Sequence, residues 1–209
     1  MLEKILKKLS WLGHDCFKYS GPPVIYFDPY ELRHSDPADL ILISHEHFDH
    51  CSPTDVTKVQ GPDTVIVTNP AAAAQLSGKV VILRPGEQTT AAGLTIETVP
   101  AYNLNKEFHP QAAGHLGFIV TLDDGIRLYH AGDTDFIPEM KGLKVDIALL
   151  PVSGTYVMTA AEAAEAARAI NPKIAIPMHY GSIVGSGTDA KAFKSLLEGQ
   201  IRVEILTKD

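Results

Sequence analysis

The sequence predicts a fold of the α/β or α+β class, in which two β-sheets pack together and helices cover their outer sides. Short β-branched or apolar runs, separated by turn residues, fill both halves of the chain. Helical patterns close each half, most clearly in the alanine-rich segment 160–170. A chain of 209 residues without a Pro/Gly-rich linker or a charge block suits one domain, and we expect that domain to span residues 1–209.

The first half of the chain contains apolar runs of strand length, each followed by turn residues. These runs cover residues 24–27, 40–43, 64–67, 80–83 and 94–99. After the third run, Asn69 is a favourable N-cap and Pro70 a favourable first residue for a helix over 71–76. A second short helix is predicted to begin at Ser52.

The second half repeats this rhythm of strands and helices. Its apolar runs cover residues 116–122, 126–129, 145–150, 173–178 and 202–206. The first two flank the Asp-Asp-Gly turn at 123–125, a strong β-hairpin signal, and the third is continuously apolar, as in strands covered on both faces. Thr159 and Glu162 form the capping-box pattern that begins a helix over 160–170. A closing helix is predicted at 189–197, before a final edge strand.

The charge balance and the cysteine content limit the cellular role of the protein. There are 25 acidic against 18 basic residues, for a formal charge of -7, and such a surface repels nucleic-acid phosphates. The cysteines, Cys16 and Cys51, are isolated in sequence and fit a reducing compartment. No run has the length of a signal peptide or of a membrane-spanning helix. We therefore expect a cytoplasmic protein without a nucleic-acid or membrane partner, either a monomer or a homo-oligomer.

The most informative segment is His-Glu-His-Phe-Asp-His at residues 45–50, directly after a predicted buried strand. Open α/β sheets place ligand sites at this end of their strands. His45 and His47 are two apart in an extended segment, so both rings point the same way and can hold one ion. Asp49 and His50 follow in the turn and can face a second ion nearby. The alternative, a histidine-rich surface loop, does not explain these ligand types at this spacing.

Further ligands are predicted at the ends of two other strands. Asp133 follows the hairpin strand that ends near Tyr129, and His179 follows the last buried strand. Alone, an aspartate in a Gly-Asp turn or a single histidine is most often structural. Beside the first cluster both become candidate ligands, because strands that end at one sheet edge can present side chains to a common cleft.

These residues resemble the metallo-β-lactamase superfamily, whose signature is H-x-H-x-D-H followed by a distant His, Asp and His. The resemblance spans almost the whole chain and points to a branch of small, single-domain metal-dependent hydrolases related to L-ascorbate-6-phosphate lactonase. Besides the signature, it is carried by WLGH at 11–14, Asp28 after an apolar strand, YHAGDT at 129–134, TYVMT at 155–159 and PMHYG at 177–181. The resemblance implies a four-layer αββα sandwich with a dinuclear metal site at one edge of the paired sheets.

The resemblance also implies a role for each ligand. His45, His47 and a third histidine would bind the first ion, Asp49, His50 and His179 would bind the second, and Asp133 would bridge the two. The segment 102–110 resembles the branch's own version of this region, which makes His109 the favoured third ligand. His115 is the alternative, although it lies directly against the next strand, where a role outside the ligand set is more natural.

Two ions at such a site would activate water. Ions about 3.5 to 4 Å apart can share one water and lower its pKa from 15.7 toward roughly 7, which gives a hydroxide nucleophile at neutral pH. Mixed imidazole and carboxylate ligands without thiolate suit Zn first, with Mn or Fe as alternatives. Asp49 and Asp133 would offset part of the positive charge, and Asp28 would accept an imidazole N–H.

The leading prediction is therefore a metal-dependent hydrolase that cleaves a small cytosolic metabolite, for example a lactone or a phosphorylated sugar derivative. A phosphodiesterase or RNA-processing nuclease of the same superfamily is the second prediction, against which the acidic surface and the lack of a basic, Gly-rich insertion argue. A metal-binding sensor module without turnover is the third, and the intact ligand set argues against it.

Several other residues lie near the predicted ligands in sequence. Candidates for contact with substrate, with plain packing as the equal alternative, are Tyr102, Asn103, Tyr156 and Tyr180. His14 and His130 belong to the family-like segments without an assigned role, and His34 is expected to be an exposed loop residue. The glycines of the segment 184–188 favour a flexible loop over a phosphate-binding loop.

Overall fold

The computed structural model describes residues 1–33, 36–122 and 125–209, and its strands form two mixed sheets. The first sheet contains, in chain order, β1 (Leu9–Gly13), β2 (Cys16–Ser20), β3 (Val24–Phe27), β4 (Ala38–Ile43), β5 (Gln60–Thr68) and β6 (Lys79–Ile82). The second contains β7 (Gln88–Ala91), β8 (Leu94–Ala101), β9 (His115–Thr121), β10 (Arg127–His130), β11 (Ile147–Pro151), β12 (Ile174–Met178) and β13 (Arg202–Val203). Within each sheet, every strand pairs with its neighbours in sequence, as is usual for short connections.

Both sheets follow one plan, with antiparallel strands first and parallel strands afterwards. In the first sheet, β1 to β3 are antiparallel and β3 to β6 are parallel. In the second sheet, β7 to β10 are antiparallel and β10 to β13 are parallel. The loops after β4, β10 and β12 therefore leave at the carboxyl ends of parallel strands, where such sheets bind ligands.

The described part of the chain contains five α-helices. They are α1 (Leu2–Leu6), α2 (Pro53–Val59), α3 (Pro70–Ala73), α4 (Ala160–Ile170) and α5 (Gly187–Leu196). The predicted caps are present, since Asn69 caps α3 and Thr159 and Glu162 make both bonds of the capping box of α4. α3 ends at Ala73 rather than at residue 76. Ala72 is its only buried side chain, so little packing holds a further turn.

One core lies between the two sheets, and a second core lies on the outer face of the first sheet. Strand β4 belongs to both, because Leu40 and Leu42 pack in the first core and Ile41 and Ile43 in the second, with Val56 of α2. On the other side of the molecule, α4 packs against β11 and α5 against β12. The layers run helix, sheet, sheet, helix, which confirms the predicted αββα sandwich.

Some elements differ from the sequence prediction. The apolar runs did not predict α1, β1, β2 or β7. In β2 the burial alternates around Lys18, and the strand is held by pairing with both of its neighbours. The edge strand predicted over 202–206 ends at Val203, because the chain then leaves β12 and crosses to the first sheet. There the Asp209 backbone N–H donates to Trp11 O at 2.9 Å.

Two predictions fall wholly or partly on residues 34–35 and 123–124, which lie outside the described ranges. The expectation for His34 is one of them. The other is the Asp123-Asp124-Gly125 turn, although β9 and β10 on either side of it do pair antiparallel, as a hairpin requires. Within the described ranges, no helix combines the length and the apolar character needed to cross a lipid bilayer.

Candidate metal centre

The site lies where the carboxyl ends of strands from both sheets meet. Two backbone hydrogen bonds join the sheets there, from Leu116 N to Ser44 O at 3.0 Å and from His179 N to His14 O at 3.2 Å. The loop after β4 contributes the motif at 45–50, and single residues come from the loops after β8, β10 and β12. The fold thus brings together all the residues predicted as ligands: His45, His47, Asp49, His50, His109, Asp133 and His179.

Asp28, directly after β3, holds the beginning of the motif loop. Its Oδ1 accepts from the Ser44 backbone N–H at 2.7 Å, and its Oδ2 accepts from the Ser44 hydroxyl at 2.6 Å. The same Oδ2 lies 2.8 Å from His50 Nδ1, which is the contact expected of Asp28 from the sequence. At the other end of the loop, the Ser52 side chain caps α2 by accepting from Asp55 N. The loop is therefore held at both ends.

Asp133 lies in the middle of the cluster, between ligands from both sheets. Its Oδ2 is 3.2 Å from Nε2 of His109 and 3.2 Å from Nε2 of His179. Its Oδ1 is 3.4 Å from Nε2 of His50. A carboxylate in this position can reach two neighbouring ions, as bridging ligands do in two-metal sites.

His109 and His115 both reach the side of the cluster that holds His45 and His47. Ligand atoms of His45, His109 and His115 lie within 4.8 Å of one another, and His45 Nε2 is 3.0 Å from His47 Nδ1. The two candidates differ in what else they face. His109 Nε2 points to the central carboxylate, whereas His115 Nε2 is 3.4 Å from the Glu46 carboxylate. His109 as the third ligand of the first ion stays a prediction.

His14 is part of the cluster, although its sequence motif did not reveal a role. It lies in the β1–β2 turn with a left-handed φ of 52°. Its Nε2 is 3.0 Å from Asp49 Oδ2, and its ring centroid is 4.2 Å from that of His179. Ligand atoms of His14, Asp49, His50 and His179 lie within 4.8 Å of one another. His14 therefore orients Asp49 and lies within reach of the second group of ligands.

Asp15 is a buried carboxylate beside this group that the sequence did not predict. Neither of its oxygens has a hydrogen-bond partner among the described residues. A carboxylate oxygen of Asp15 lies within 4.8 Å of ligand atoms of Asp133 and His179. An oxygen of Asp15 also lies within 4.8 Å of ligand atoms of Asp28 and His50. Burial raises the pKa of Asp15 well above its ordinary value, against the opposing charge of His179. The sequence signal that could have identified Asp15 is its position directly after His14, in the turn between β1 and β2.

The histidines at 45, 50, 109 and 179 use their second ring nitrogen for a contact that orients the ring. Besides the contact of His50 with Asp28, these are Ser44 Oγ with His45 Nδ1 at 2.9 Å, Asn103 Oδ1 with His109 Nδ1 at 3.1 Å, and Ser153 Oγ with His179 Nδ1 at 2.8 Å. Contacts of this kind set the tautomer and direct Nε2 toward the centre of a metal site. Ser44 and Ser153 were not predicted, because a single serine near a ligand has no distinctive sequence signal.

Comparison with known proteins identifies the family. A model of the β-lactamase superfamily domain matches residues 8–179. This chain belongs to the metallo-β-lactamase superfamily. A UPF0173 metal-dependent hydrolase from Methanoregula boonei is 34% identical over 203 residues, which cover 91% of this chain and 89% of that protein.

Solved structures of metal-dependent hydrolases agree with the match. A structure described as a metal-dependent hydrolase from Parabacteroides distasonis is 37% identical, with a TM-score of 0.81 over 95% of this chain and 93% of that one. Igni18, a metallo hydrolase from Ignicoccus hospitalis, shares the fold with a TM-score of 0.79 at 24% identity, over 96% of this chain and 94% of that one. The predicted superfamily and the predicted class of enzyme, a metal-dependent hydrolase, are thereby confirmed.

The residues of this superfamily member fit divalent metal ions. Three buried atoms without a hydrogen-bond partner among the described residues face one another: Nε2 of His50, Nε2 of His179 and Oδ1 of Asp133. A buried polar atom without a partner costs roughly 1 to 3 kcal/mol, and a bound cation removes that cost for an acceptor. Imidazole and carboxylate donors without thiolate are suited to Zn, Mn or Fe.

Burial and charge act differently on the groups of the site. Burial would lower the pKa of His50 and His179, but the charge of Asp133 raises it, so each must release a proton when it binds a metal ion. Burial lowers the pKa of His45 well below its ordinary value, and His50 adds to the effect. Burial alone would raise the pKa of Asp133, but the charges of His179 and His50 hold it well below its usual range. Burial would likewise raise the pKa of Asp49, yet the hydrogen bond from the turn histidine and the charge of His50 hold it low. The site therefore offers a neutral imidazole and ionised carboxylates.

The candidates for contact with substrate divide between packing and lining. The Tyr102 hydroxyl lies 3.0 Å from Glu139 Oε2, and the Tyr180 ring packs on Trp11 with centroids 4.7 Å apart, so both are packing residues. Asn103 orients a ligand, as described above. Tyr156 lines the cavity that leads to the metal centre. Of the four, Tyr156 is therefore the one placed to touch a substrate.

Proposed function

We propose that this chain hydrolyses a small metabolite in the cytoplasm, at a dinuclear metal centre bridged by Asp133. The scissile bond is a carbonyl or phosphoryl ester. The substrate is a lactone or a phosphorylated sugar derivative, in line with the resemblance to L-ascorbate-6-phosphate lactonase. Zinc is the expected metal, with manganese or iron as the alternatives. The expected partner is the small-molecule substrate alone.

The position of Asp133 is the observation that supports a dinuclear centre. Its Oδ2 lies 3.2 Å both from His109, predicted for the first ion, and from His179, predicted for the second. The side chain is only 3% exposed, so an ionised carboxylate there needs positive charge close by. Two groups of ligands around one buried carboxylate favour two ions over one.

The chain's own residues have separate tasks in this proposal. Divalent ions would polarise the scissile bond as Lewis acids and would lower the pKa of water, so that hydroxide is available as a nucleophile at neutral pH. The Asp133 carboxylate offsets part of the positive charge of the ions. Asp49 is more open, with 14% of its side chain exposed, and its Oδ2 is oriented by His14. From there Asp49 can accept the proton of the attacking water and pass it to the leaving group.

Metal analysis combined with an activity panel tests the proposal. Protein loaded with zinc, manganese or iron is assayed on lactones, phosphodiesters and thioesters. We expect about two ions per chain and hydrolysis of at least one class, which chelation abolishes. Full metal content without turnover on any class would favour the sensor module, and cleavage of a tRNA precursor would favour the nuclease.

A further inference from the structure

The opening of the metal centre is apolar. A cavity of about 240 Å³ leads to it, with ligand residues at its floor and Phe48, Phe108, Tyr156 and Ile183 as its wall. We propose that this wall is the subsite for an uncharged, apolar group of the substrate, so that the hydrolysed compound is an ester or lactone with an aliphatic or aromatic group rather than a phosphorylated sugar. The inference rests on the proposed function, whose metal centre holds the scissile bond.

The wall exposes large apolar side chains to solvent. Phe48 is 68% exposed, Phe108 50% and Ile183 40%. Single exposed apolar residues are ordinary on protein surfaces, but a contiguous apolar patch marks a binding surface. These residues come from three different loops and line one cavity. The patch is therefore a feature of the tertiary structure, and an apolar ligand group that fills it gains the free energy of removing both surfaces from water.

The wall is continuous with the metal centre. Phe48 lies inside the ligand motif 45–50, and Phe108 directly precedes His109. The Phe108 ring packs edge-on against Tyr156, with centroids 4.6 Å apart. A substrate whose scissile bond lies over the ligands must place its neighbouring atoms against these side chains. The cavity is smaller than the pockets of about 300 to 1,000 Å³ that hold drug-sized ligands, so the group is small.

The cavity lacks the positive charge that a phosphorylated substrate would need. Among the described residues, no lysine or arginine lines it. Lys106, in the loop that carries Phe108, has its Nζ 2.5 Å from Asp135 Oδ1, and the Asp135 side chain is only 5% exposed. Proteins bind a phosphate group outside the reacting centre through lysine, arginine or free backbone N–H groups. The lysine nearest in sequence to the wall is already paired.

In the glycine-containing loop 184–188, the backbone N–H groups of Ser186 and Thr188 are already bonded to side chains. It leads into α5, where Ser186 Oγ accepts from Thr188 N at 3.2 Å and Asp189 Oδ2 accepts from Ser186 N at 2.7 Å. The Asp189 carboxylate places negative charge where a phosphate would bind. These contacts argue against the phosphate-binding interpretation of this segment.

An acyl-chain series tests the subsite. Metal-loaded protein is assayed on p-nitrophenyl acetate, butyrate and hexanoate, and on the p-nitrophenyl monoester of adipic acid, whose chain matches hexanoate but ends in a carboxylate. Each buried methylene is expected to raise kcat/KM about fourfold, which corresponds to about 0.8 kcal/mol. We expect kcat/KM to rise about 15-fold from acetate to butyrate and further to hexanoate, and to fall at least about tenfold for the adipate ester.

Substitutions in the wall have a matched control on the same chain. Phe108→Ser and Ile183→Ser are expected to lower kcat/KM for the hexanoate ester about tenfold and for the acetate ester less, because the longer acyl group buries more of its surface against the wall. Ile82→Ser is the control, since Ile82 on β6 is 52% exposed and lies outside the cavity, and it should change neither value. An equal loss on both esters in both wall variants would overturn the subsite.

Calorimetric binding of hexanoate and adipate separates this inference from the proposed function. If no ester is hydrolysed, but hexanoate binds at least about tenfold more tightly than adipate and Phe108→Ser removes the difference, the subsite stands and the proposed hydrolysis fails. If esters are hydrolysed without preference for the longer chain, the hydrolase stands and the subsite is wrong. Equal binding of both acids without hydrolysis also overturns it. So does a change of oligomeric state in the wall variants with an unchanged ester preference, because the wall is then an interface between copies.

Discussion

The two sheets contribute to the metal centre in different ways. The first sheet delivers most of the predicted ligands in one segment, because the loop 45–50 follows β4 directly and is held at both ends. The second sheet delivers the predicted ligands His109, Asp133 and His179 one at a time, from loops far apart in sequence. The first contribution depends on the local structure of one loop, and the second depends on the pairing order of the strands.

The residues that orient the ligands differ in the same way. On the first side, the Asp28 carboxylate accepts hydrogen bonds from the backbone N–H and the hydroxyl of Ser44. It also contacts Nδ1 of His50. On the second side, Ser153 makes a single contact with His179, and Asn103 contacts the backbone N–H and Nδ1 of His109. Asp28 thus holds two residues of the first side at once, whereas Ser153 and Asn103 each hold one ligand. We therefore expect substitutions that orient ligands on the first side to cost more than those on the second, and substitutions that join the sides to cost most.

The largest effect is expected for Asp133→Asn, because Asp133 faces ligands from both sheets. The amide has the same size but no charge, so it cannot offset two divalent ions. We expect loss of at least one ion and a fall in kcat on the order of a thousandfold or more. Metal analysis and the activity panel measure both, and a thermal melt of the chelated protein shows that the fold persists. Full metal content with retained activity would contradict the bridging role.

The next effect separates His109 from His115 by the same substitution at each position. His109→Ala should release one ion and lower kcat/KM at least about a hundredfold, because the ligand shell of the first ion is broken. His115→Ala should keep both ions and change kcat/KM less than about tenfold, since its Nε2 faces Glu46. Metal content per chain is the deciding measurement. The opposite pattern would assign the third ligand to His115.

A smaller effect is expected for residues that orient the ligands, and its size should differ between the sheets. Asp28→Asn should weaken metal affinity about a hundredfold and Ser153→Ala about tenfold, the range typical of contacts to ligand histidines. Competition with a chelator of known affinity measures both values. Equal losses would show that the number of contacts at Asp28 does not matter, and the difference between the two sides would then disappear.

The sequence predicted the first contribution better than the second for a physical reason. Strand β4 and the motif at 45–50 are adjacent, so the apolar run and the ligand spacing could be interpreted together. The prediction of Asp133 and His179 depended on the expectation that their strands end at the same edge as β4, and on the resemblance to the superfamily. Whether His109 or His115 completes the first group depends on side-chain direction, which spacing along a chain does not determine.

Residues that act through burial were the hardest to predict. Asp15 looks like an ordinary turn residue in sequence, yet it is fully buried beside Asp133. Strands β1 and β2 around it alternate polar and apolar residues too irregularly to be predicted, and they form because β3 and the carboxyl-terminal segment pair with them. The apolar cavity wall was missed likewise, because its side chains come from separate loops.

The smallest effect concerns the stability of the loop on the first side. The Asp55 carboxylate in α2 accepts hydrogen bonds from the backbone N–H groups of Glu31 and Leu32. It also accepts from the Ser52 hydroxyl and the Lys58 ammonium group. Asp55→Asn removes the charge from these contacts, and we expect a loss of about 1 to 2 kcal/mol in the free energy of unfolding at pH 7. Urea unfolding of the chelated protein measures it without a contribution from metal binding.

The pH dependence of that loss distinguishes charge from shape. Burial alone would raise the pKa of Asp55, but the hydrogen bonds from Lys58 and Ser52 hold it below its ordinary value of 3.8. A carboxyl group whose pKa is lower in the folded state stabilises the protein above the unfolded pKa, and that stability is lost as the pH falls through the folded value. The difference between wild type and Asp55→Asn should therefore be full at pH 7 and shrink below about pH 4.

A control with an exposed carboxylate completes the test. Asp63 pairs with Lys79, but its side chain is 95% exposed, so solvent screens the pair and Asp63→Asn should cause no measurable loss of stability at either pH. If Asp55→Asn were no worse than Asp63→Asn, α2 would not anchor the loop 45–50, and the ligands of the first sheet would depend on Asp28 alone. The first side of the centre would then rest on Asp28, as His179 on the second side rests on Ser153.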